Sequence, residues 1–194
     1  MEKHKILVVS ATLLALLGLL LGACGPKQEG LPLEEQPYRN DLGGYTIRYP
    51  KDWLYDAYGG QVMFYESEEA AMTEVPSTPI VLLEVATIDE LDYSYVSGIS
   101  EAKDSRAMLQ ILVDDLRGQG EVSVGATQDL TVGGSKAAAA DIRGTEQGLD
   151  IAGRVVCVHL GDRGGVFVAV GAREDWDEFV PTFEAMLGSM AFER

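Results

Sequence analysis

Hydrophobic and polar positions change period several times along this chain, and the changes mark its elements. Ile6 to Leu21 is apolar on every side, interrupted only by Ser10 and Thr12. From Gly25 to about Asp41 there is no period, only Pro26, Gly30, Pro32 and Pro37 among Lys, Gln and Glu. Tyr45, Ile47 and Tyr49 then alternate with Thr46 and Arg48, the period-two pattern of a half-buried strand, which Pro50 closes. Gln61–Tyr65 reads as a second strand after Gly59-Gly60. Ile80–Ala86 is apolar throughout and short enough for a strand buried on both faces. Glu66 to Thr78, between those strands, reads as an acidic loop.

A helical period first appears over Asp104–Arg117. Met108, Leu109, Leu112, Val113 and Leu116 share one face; Arg106, Gln110, Asp114 and Asp115 face away. Asp104 or Ser105 can cap its start and Gly118 its end. Strands come next at Glu121–Ala126, Leu130–Val132, Lys136–Arg143, Asp150–Leu160 and Val166–Val170. Gly133-Gly134 stands where a two-residue hairpin turn requires positive φ, and Gly148 and Gly161–Gly165 mark further turns. Trp176, Phe179, Val180, Phe183, Met186, Leu187 and Met190 return to the helical period. Pro181 is expected in a first helical turn, which predicts a short turn over Asp175–Glu178 and the main helix from about Val180 to Gly188. Strands joined by short turns, with one helix between them and one after them, make an α+β protein with an antiparallel sheet and packed helices.

The N-terminal run carries targeting information. Lys3 and Lys5 precede it and Leu21-Gly22-Ala23-Cys24 ends it, so it has the basic, apolar and small-residue regions of a secretory signal. The run is somewhat short for an uncleaved transmembrane anchor, which takes about 20 apolar residues. It has no polar face for a buried soluble helix. The ending resembles the lipobox of bacterial lipoproteins. That resemblance implies cleavage before Cys24, a diacylglycerol thioether on its sulfur and palmitate-type acyl chains. Two chains hold a protein to a bilayer where one gives only marginal binding. The expected organisation is a signal peptide over residues 1–23, a lipidated Cys24 and flexible tether over 24–42, and a globular domain over 43–194, on the extracytoplasmic face of a cell membrane.

Charge narrows the partners. The 194 residues carry a net charge of −16. Without a basic stripe, nucleic acid is excluded as a partner, and the mature domain is not built to lie on an anionic lipid surface. Net charge of this size keeps an exported protein dispersed, and makes a basic partner the better complement. Cys24 and Cys157 are the only cysteines. With Cys24 modified, Cys157 has no partner for a disulfide and reads as a buried residue of an apolar strand.

Several segments together resemble a known family: Gly44-Tyr-Thr-Ile-Arg-Tyr-Pro-Lys-Asp-Trp53, the strand ending at Tyr65, Leu130-Thr-Val-Gly-Gly-Ser-Lys-Ala137, and the helix running into Met186-Leu-Gly-Ser-Met-Ala-Phe192. From about Gly43 to the C-terminus the chain is similar to the PsbP-like family, the fold of an extrinsic photosystem subunit and of many bacterial lipoproteins. The resemblance implies an α/β/α sandwich around an antiparallel sheet. It also implies a protein that binds or assists other proteins, with no shared catalytic residue set to transfer.

The residues themselves support no catalytic centre. Trp53 and Trp176 have the area of core anchors, more than of ligand platforms. Cys157 and His159 share a strand face, but zinc needs more ligands, and His4 falls in the signal. His159 reads as a strand-end residue beside Gly161. Glu66, Glu68, Glu69 and Glu74, with Asp89, Glu90 and Asp92, lack the spacing of a calcium loop and read as solvated acidic surface. The glycine-rich turns do not open helices with a phosphate-loop series. The strongest functional candidate is Asp89–Ser100, read as a connecting loop whose Tyr93 and Tyr95 stand beside acidic residues. There they make a candidate partner-binding surface, or tuck under the sheet edge. The expected function is therefore a lipid-anchored, non-enzymatic binding or assembly module that needs no cofactor or metal and contacts another envelope protein. The alternative is a lipoprotein carrier or sensor of a small ligand or ion, using a pocket between sheet and helix.

Overall fold

Glycine pairs set the hairpins of the main sheet. Gly133 and Gly134 both have positive φ, 57° and 79°, as a two-residue turn between right-twisted strands requires. A computed structural model describes residues 30–73, 78–118 and 122–193. In chain order the strands are β1 Tyr38–Asn40, β2 Tyr45–Ile47, β3 Leu54–Tyr58, β4 Gln61–Tyr65, β5 Ile80–Thr87, β6 Val122–Val124, β7 Gln128–Val132, β8 Ser135–Glu146, β9 Leu149–His159, β10 Arg163–Ala172 and β11 Ala191–Phe192. The α-helices are α1 Glu68–Met72, α2 Ile88–Ser94, α3 Ser105–Gly118 and α4 Arg173–Gly188.

Eight strands form one antiparallel sheet, ordered β3-β4-β5-β10-β9-β8-β6, with β7 also pairing β8. A small second sheet joins β1, β2 and β11. Period-two alternation sends successive side chains of the large sheet into two separate cores. Val156, Val158, Phe167, Ala169, Val81, Leu83 and Val85 point to one face, where α4 and β2 supply Phe183, Met186, Leu187, Tyr45 and Ile47. Val155, Cys157, Val166, Ala138 and Ala140 point to the other, under Met108, Leu109, Leu112 and Val113 of α3. Ala137, Ala138, Ala139 and Ala140 are all buried, so β8 contributes small side chains to both layers. The result is an α/β/α sandwich of the α+β class, as the sequence and the PsbP-like resemblance imply.

Four differences from the sequence reading have local causes. The stretch read as tether enters the fold: β1 pairs β2, Leu33 bridges Pro50, and the Leu31 amide donates to Thr182 Oγ1 at 2.7 Å. Three residues of strand are too short to show a period, which hid β1. The acidic loop after β4 contains α1, with Ser67 accepting from the Ala70 amide as its N-cap. The final helix is continuous across Pro181. A proline there removes one intrahelical hydrogen bond. Buried Trp176 and Phe179 before it and Phe183, Met186 and Leu187 after it form one stripe that holds both halves to the sheet. The fourth difference concerns Asp89–Ser100 and bears on function.

Candidate functional site

Asp89–Ser100 is not an irregular loop. Thr87, Ile88, Asp89 and Glu90 make a capping box: the Thr87 hydroxyl accepts from the Glu90 amide, and the Glu90 carboxylate accepts from Thr87. That Thr-x-x-Glu spacing was legible in the sequence and fixes the start of α2. Asp92 organises the turn beyond α2, its Oδ1 accepting from the amides of Gly98 and Ser100, both at 2.8 Å. These hydrogen bonds hold Glu90 and Asp92 below the ordinary carboxylate range, the first mainly through the Thr87 amide and the second mainly through the Ser100 amide. Two carboxylates read as solvated surface are thus parts of the scaffold. Glu74 lies outside the described residues.

The two tyrosines of this segment separate. Tyr93 is 94% exposed. Tyr95 packs against the core under α3, and its hydroxyl is buried beside Glu84 and Gln61 without a hydrogen bond of ordinary geometry. Burial raises its pKa. Tyr95 is therefore a packing residue, and only Tyr93 is available to a partner.

Tyr93 stands on the rim of an open cleft of about 600 Å³. The other exposed apolar residues of that rim are Leu42 and Tyr58, 80% and 88% exposed. They come from three separate segments: the turn between β1 and β2, the end of β3, and α2. The first two are held by Asn40, a buried residue that the sequence reading overlooked. Its side-chain amide donates to the Gly59 carbonyl at 3.0 Å and its Oδ1 accepts from the Gly43 amide at 2.7 Å. Gly60 lets this turn lie against β5, since a Cβ there would sit 2.3 Å from the Val85 carbonyl oxygen. Arg163, from the start of β10, donates to the Gly43 carbonyl from the opposite wall.

Acidic groups line the same cleft. Asp89 and Glu90 are exposed beside Tyr93. Glu84, on β5, is half-buried; burial raises its pKa, and the neighbouring Glu90 adds to the shift. Ser94 is its hydroxyl neighbour at 3.5 Å. Ionised Glu84 thus sits in the cleft at a desolvation cost that an incoming cation relieves. Aromatic rim, exposed carboxylates and a half-buried carboxylate suit a basic side chain flanked by apolar ones.

The other sequence candidates are accounted for elsewhere. Trp53 and Trp176 are core residues. Cys157 is fully buried, and burial raises its thiol pKa, which keeps it protonated. His159 ends β9, with its ring Nδ1 accepting from the Gly161 amide at 3.4 Å. Among the described residues no cluster of three or more His, Cys, Asp or Glu is placed to hold a metal, and no helix is long and apolar enough to cross a membrane. Cys24 lies outside the described residues.

The layered arrangement, with its antiparallel sheet and a helix on each face, defines a PsbP-like α/β/α sandwich, and solved structures share it. The solution structure of cyanobacterial PsbP from Synechocystis superposes with a TM-score of 0.53 at 17% identity, covering 89% of this chain and 98% of that one. LpqN of Mycobacterium tuberculosis, a protein involved in cell envelope biogenesis, superposes with a TM-score of 0.51 at 16% identity, covering 84% of this chain and 92% of that one. At these identities the likeness is one of fold. No protein-family description matches the chain, and no curated protein matches it.

Proposed function

We propose that this chain is a lipid-anchored, non-enzymatic binding module on the extracytoplasmic face of a bacterial membrane. In this reading it engages a basic segment of another envelope protein through the Leu42–Tyr58–Tyr93 cleft. The observation that carries the reading is the convergence of three exposed large apolar side chains, from separate parts of the chain, on one cleft lined by Glu84, Asp89 and Glu90. Aromatic anchors beside a ring of charge are the groups that dominate protein interfaces. The lipobox-like ending at Cys24 supports a setting at the membrane, and the fold shared with LpqN, itself involved in envelope biogenesis, fits that setting.

A photo-crosslinking amino acid at position 58 or 93 of the full chain, in intact cells, tests the reading. Both positions should capture the same protein, and the same group at exposed Met72 should not. Equal capture from all three positions would reject the cleft. Cys24→Ala should block cleavage before position 24 and abolish incorporation of labelled acyl chains; a variant that still matures to the same size and partitions into detergent would reject the anchor.

A further inference from the structure

At the start of α3, beside β7 and β8, the sheet register gathers positive charge. Thr131 of β7 pairs with Lys136 of β8, and Ala137 pairs with Val158, so Lys136 and His159 stand next to each other on the same face as Thr131. Lys103, just before α3, and Arg106, in its first turn, come to the same place. Together these residues line an open pocket of about 680 Å³. Leu130 and Ala137 border it, with their side chains turned to the other face of the sheet. That volume is within the usual range for small-molecule sites, roughly 300–1,000 Å³.

This concentration of cations is unlike the rest of the molecule. The chain carries −16 overall, and its described lysines are Lys51, Lys103 and Lys136; two of those three line this pocket. The acidic residues of the wall, Asp104 and Asp129, have partners of their own and keep their charge. Asp129 accepts from Arg106 Nε at 2.7 Å, and Asp104 Oδ1 accepts from the Ala107 amide at 2.8 Å as the cap of α3. Ser105 is used as well, donating to the Lys136 carbonyl at 2.8 Å and accepting from the His159 amide at 2.9 Å. Those two bonds fix the backbones that carry Lys136 and His159. The helix terminus is thus closed by its own cap. Lys103, Arg106 and Lys136 against Asp104 and Asp129 leave the wall one net positive charge, and the Lys103 and Lys136 ammoniums and the His159 imidazole are the lining groups outside the Arg106–Asp129 pair that can meet an anion.

We infer that this pocket binds an organic phosphate, with its phosphoryl oxygens on Lys103, Lys136 and His159 and its organic part along the Thr131 side chain and the aliphatic stems of the two lysines. Ammonium groups act as point charges toward phosphate and tolerate varied geometry. The pocket is larger than an inorganic phosphate fills, which leaves room for a carbon skeleton. Phosphate of this kind comes from a soluble metabolite or from a lipid headgroup, and the two sources are separable by experiment.

Lysine acylation read by mass spectrometry, on the full chain in phosphate-free alkyl maltoside micelles, provides the test, with exposed Lys51 as internal reference. Glycerol 3-phosphate should protect Lys103 and Lys136 saturably and leave Lys51 unchanged. Lys136→Ala should shift the midpoint for Lys103 protection by about tenfold or more, as loss of a charge-assisted contact implies, with an unchanged melting temperature. Protection only in micelles containing phosphatidylglycerol would assign the phosphate to a lipid headgroup. If neither probe protects the two lysines, or if Lys51 is protected equally, or if Lys136→Ala leaves the midpoint where it was, the inference is wrong.

Discussion

The indole of Trp53 and the ring of Phe179 stack with centroids 5.4 Å apart and planes 1° from parallel. Trp53 lies between β2 and β3, and Phe179 lies on α4, so one contact ties the start of the fold to its last helix. Both residues are nearly buried. Phe179→Ala removes the ring from both partners, because Trp176 also packs on it at 6.1 Å. The substitution should lower unfolding free energy by about 3–5 kcal/mol. Trp53→Ala should cost a comparable amount. Since the two share one contact, the double variant should lose less than the sum. Urea unfolding of the four proteins measures the coupling, and strict additivity would show that the stack contributes nothing of its own.

Cys157 lies near the end of β9, paired with Ala138 on one side and Val166 on the other. Burial raises its pKa, so at neutral pH the native thiol stays protonated and shielded. Labelling by a thiol reagent should therefore proceed at the rate of protein opening, not at the rate seen in denaturant. Cys157→Ser places a hydroxyl among alanine and valine side chains and should cost about 1–3 kcal/mol. Rapid stoichiometric labelling of the folded protein would contradict the burial.

How much of the fold was legible in the sequence depends on how long each pattern runs. β9 and the helices α3 and α4 run over ten or more residues, and their buried faces were readable from their pattern. Of β10 only Val166–Val170 was readable, because Gly164 and Gly165, which lie in the strand, read as part of a turn. The turns at Gly133-Gly134 and Gly148 were readable because positive φ selects glycine. β1, β2 and β11 hold only two or three residues each; their pairing depends on chain ends meeting in space, which no local period encodes. The cleft was half legible. Tyr93 drew attention as an aromatic among acids, but Leu42 and Tyr58 join it only through the sheet order and the Asn40 bridge. The capping box at Thr87 and Glu90 was written in the sequence, and reading it would have separated Tyr93 from Tyr95 by placing the first on a helix and the second just past its end.

Glu84 should show a definite dependence on pH. Its pKa is raised in the folded state, chiefly by burial. The sign comes from linkage: a raised carboxyl contributes its stability below the unfolded value, about 4.3, and loses it as pH rises through the folded value. Glu84→Gln removes the ionisation and keeps a polar group beside Ser94. The variant should therefore be more stable than the parent at pH 7, with the difference closing as pH falls below about 4. Comparing both proteins at each pH cancels the opposite contributions of Glu90 and Asp92, whose pKa values are lowered. A gap of equal size at both pH values would show that Glu84 bears no ionisation penalty in the cleft. In the proposed complex a basic partner residue relieves that penalty, so Glu84→Gln should weaken partner capture while strengthening the isolated fold.

Single substitutions at Tyr93 and Tyr95 should give opposite phenotypes. Tyr93 is almost wholly exposed and makes no hydrogen bond that the fold requires, so Tyr93→Ala should change stability by less than about 0.5 kcal/mol. Its effect should fall on partner capture, because the substitution removes one of three apolar contacts on the cleft rim. Tyr95 packs under α3, and Tyr95→Ala opens a cavity there, at a cost of about 2–4 kcal/mol. Tyr95→Phe removes only the buried hydroxyl, which has no hydrogen bond of ordinary geometry, and should be neutral or slightly stabilising. Thermal melts and co-purification of the crosslinked protein, run on the three variants in parallel, separate folding from binding. Loss of capture in Tyr93→Ala with a parental melting temperature assigns the interface to the cleft. Capture retained in Tyr93→Ala, and again with Tyr58→Ala added, would place the interface on another surface and overturn the proposed role of the rim.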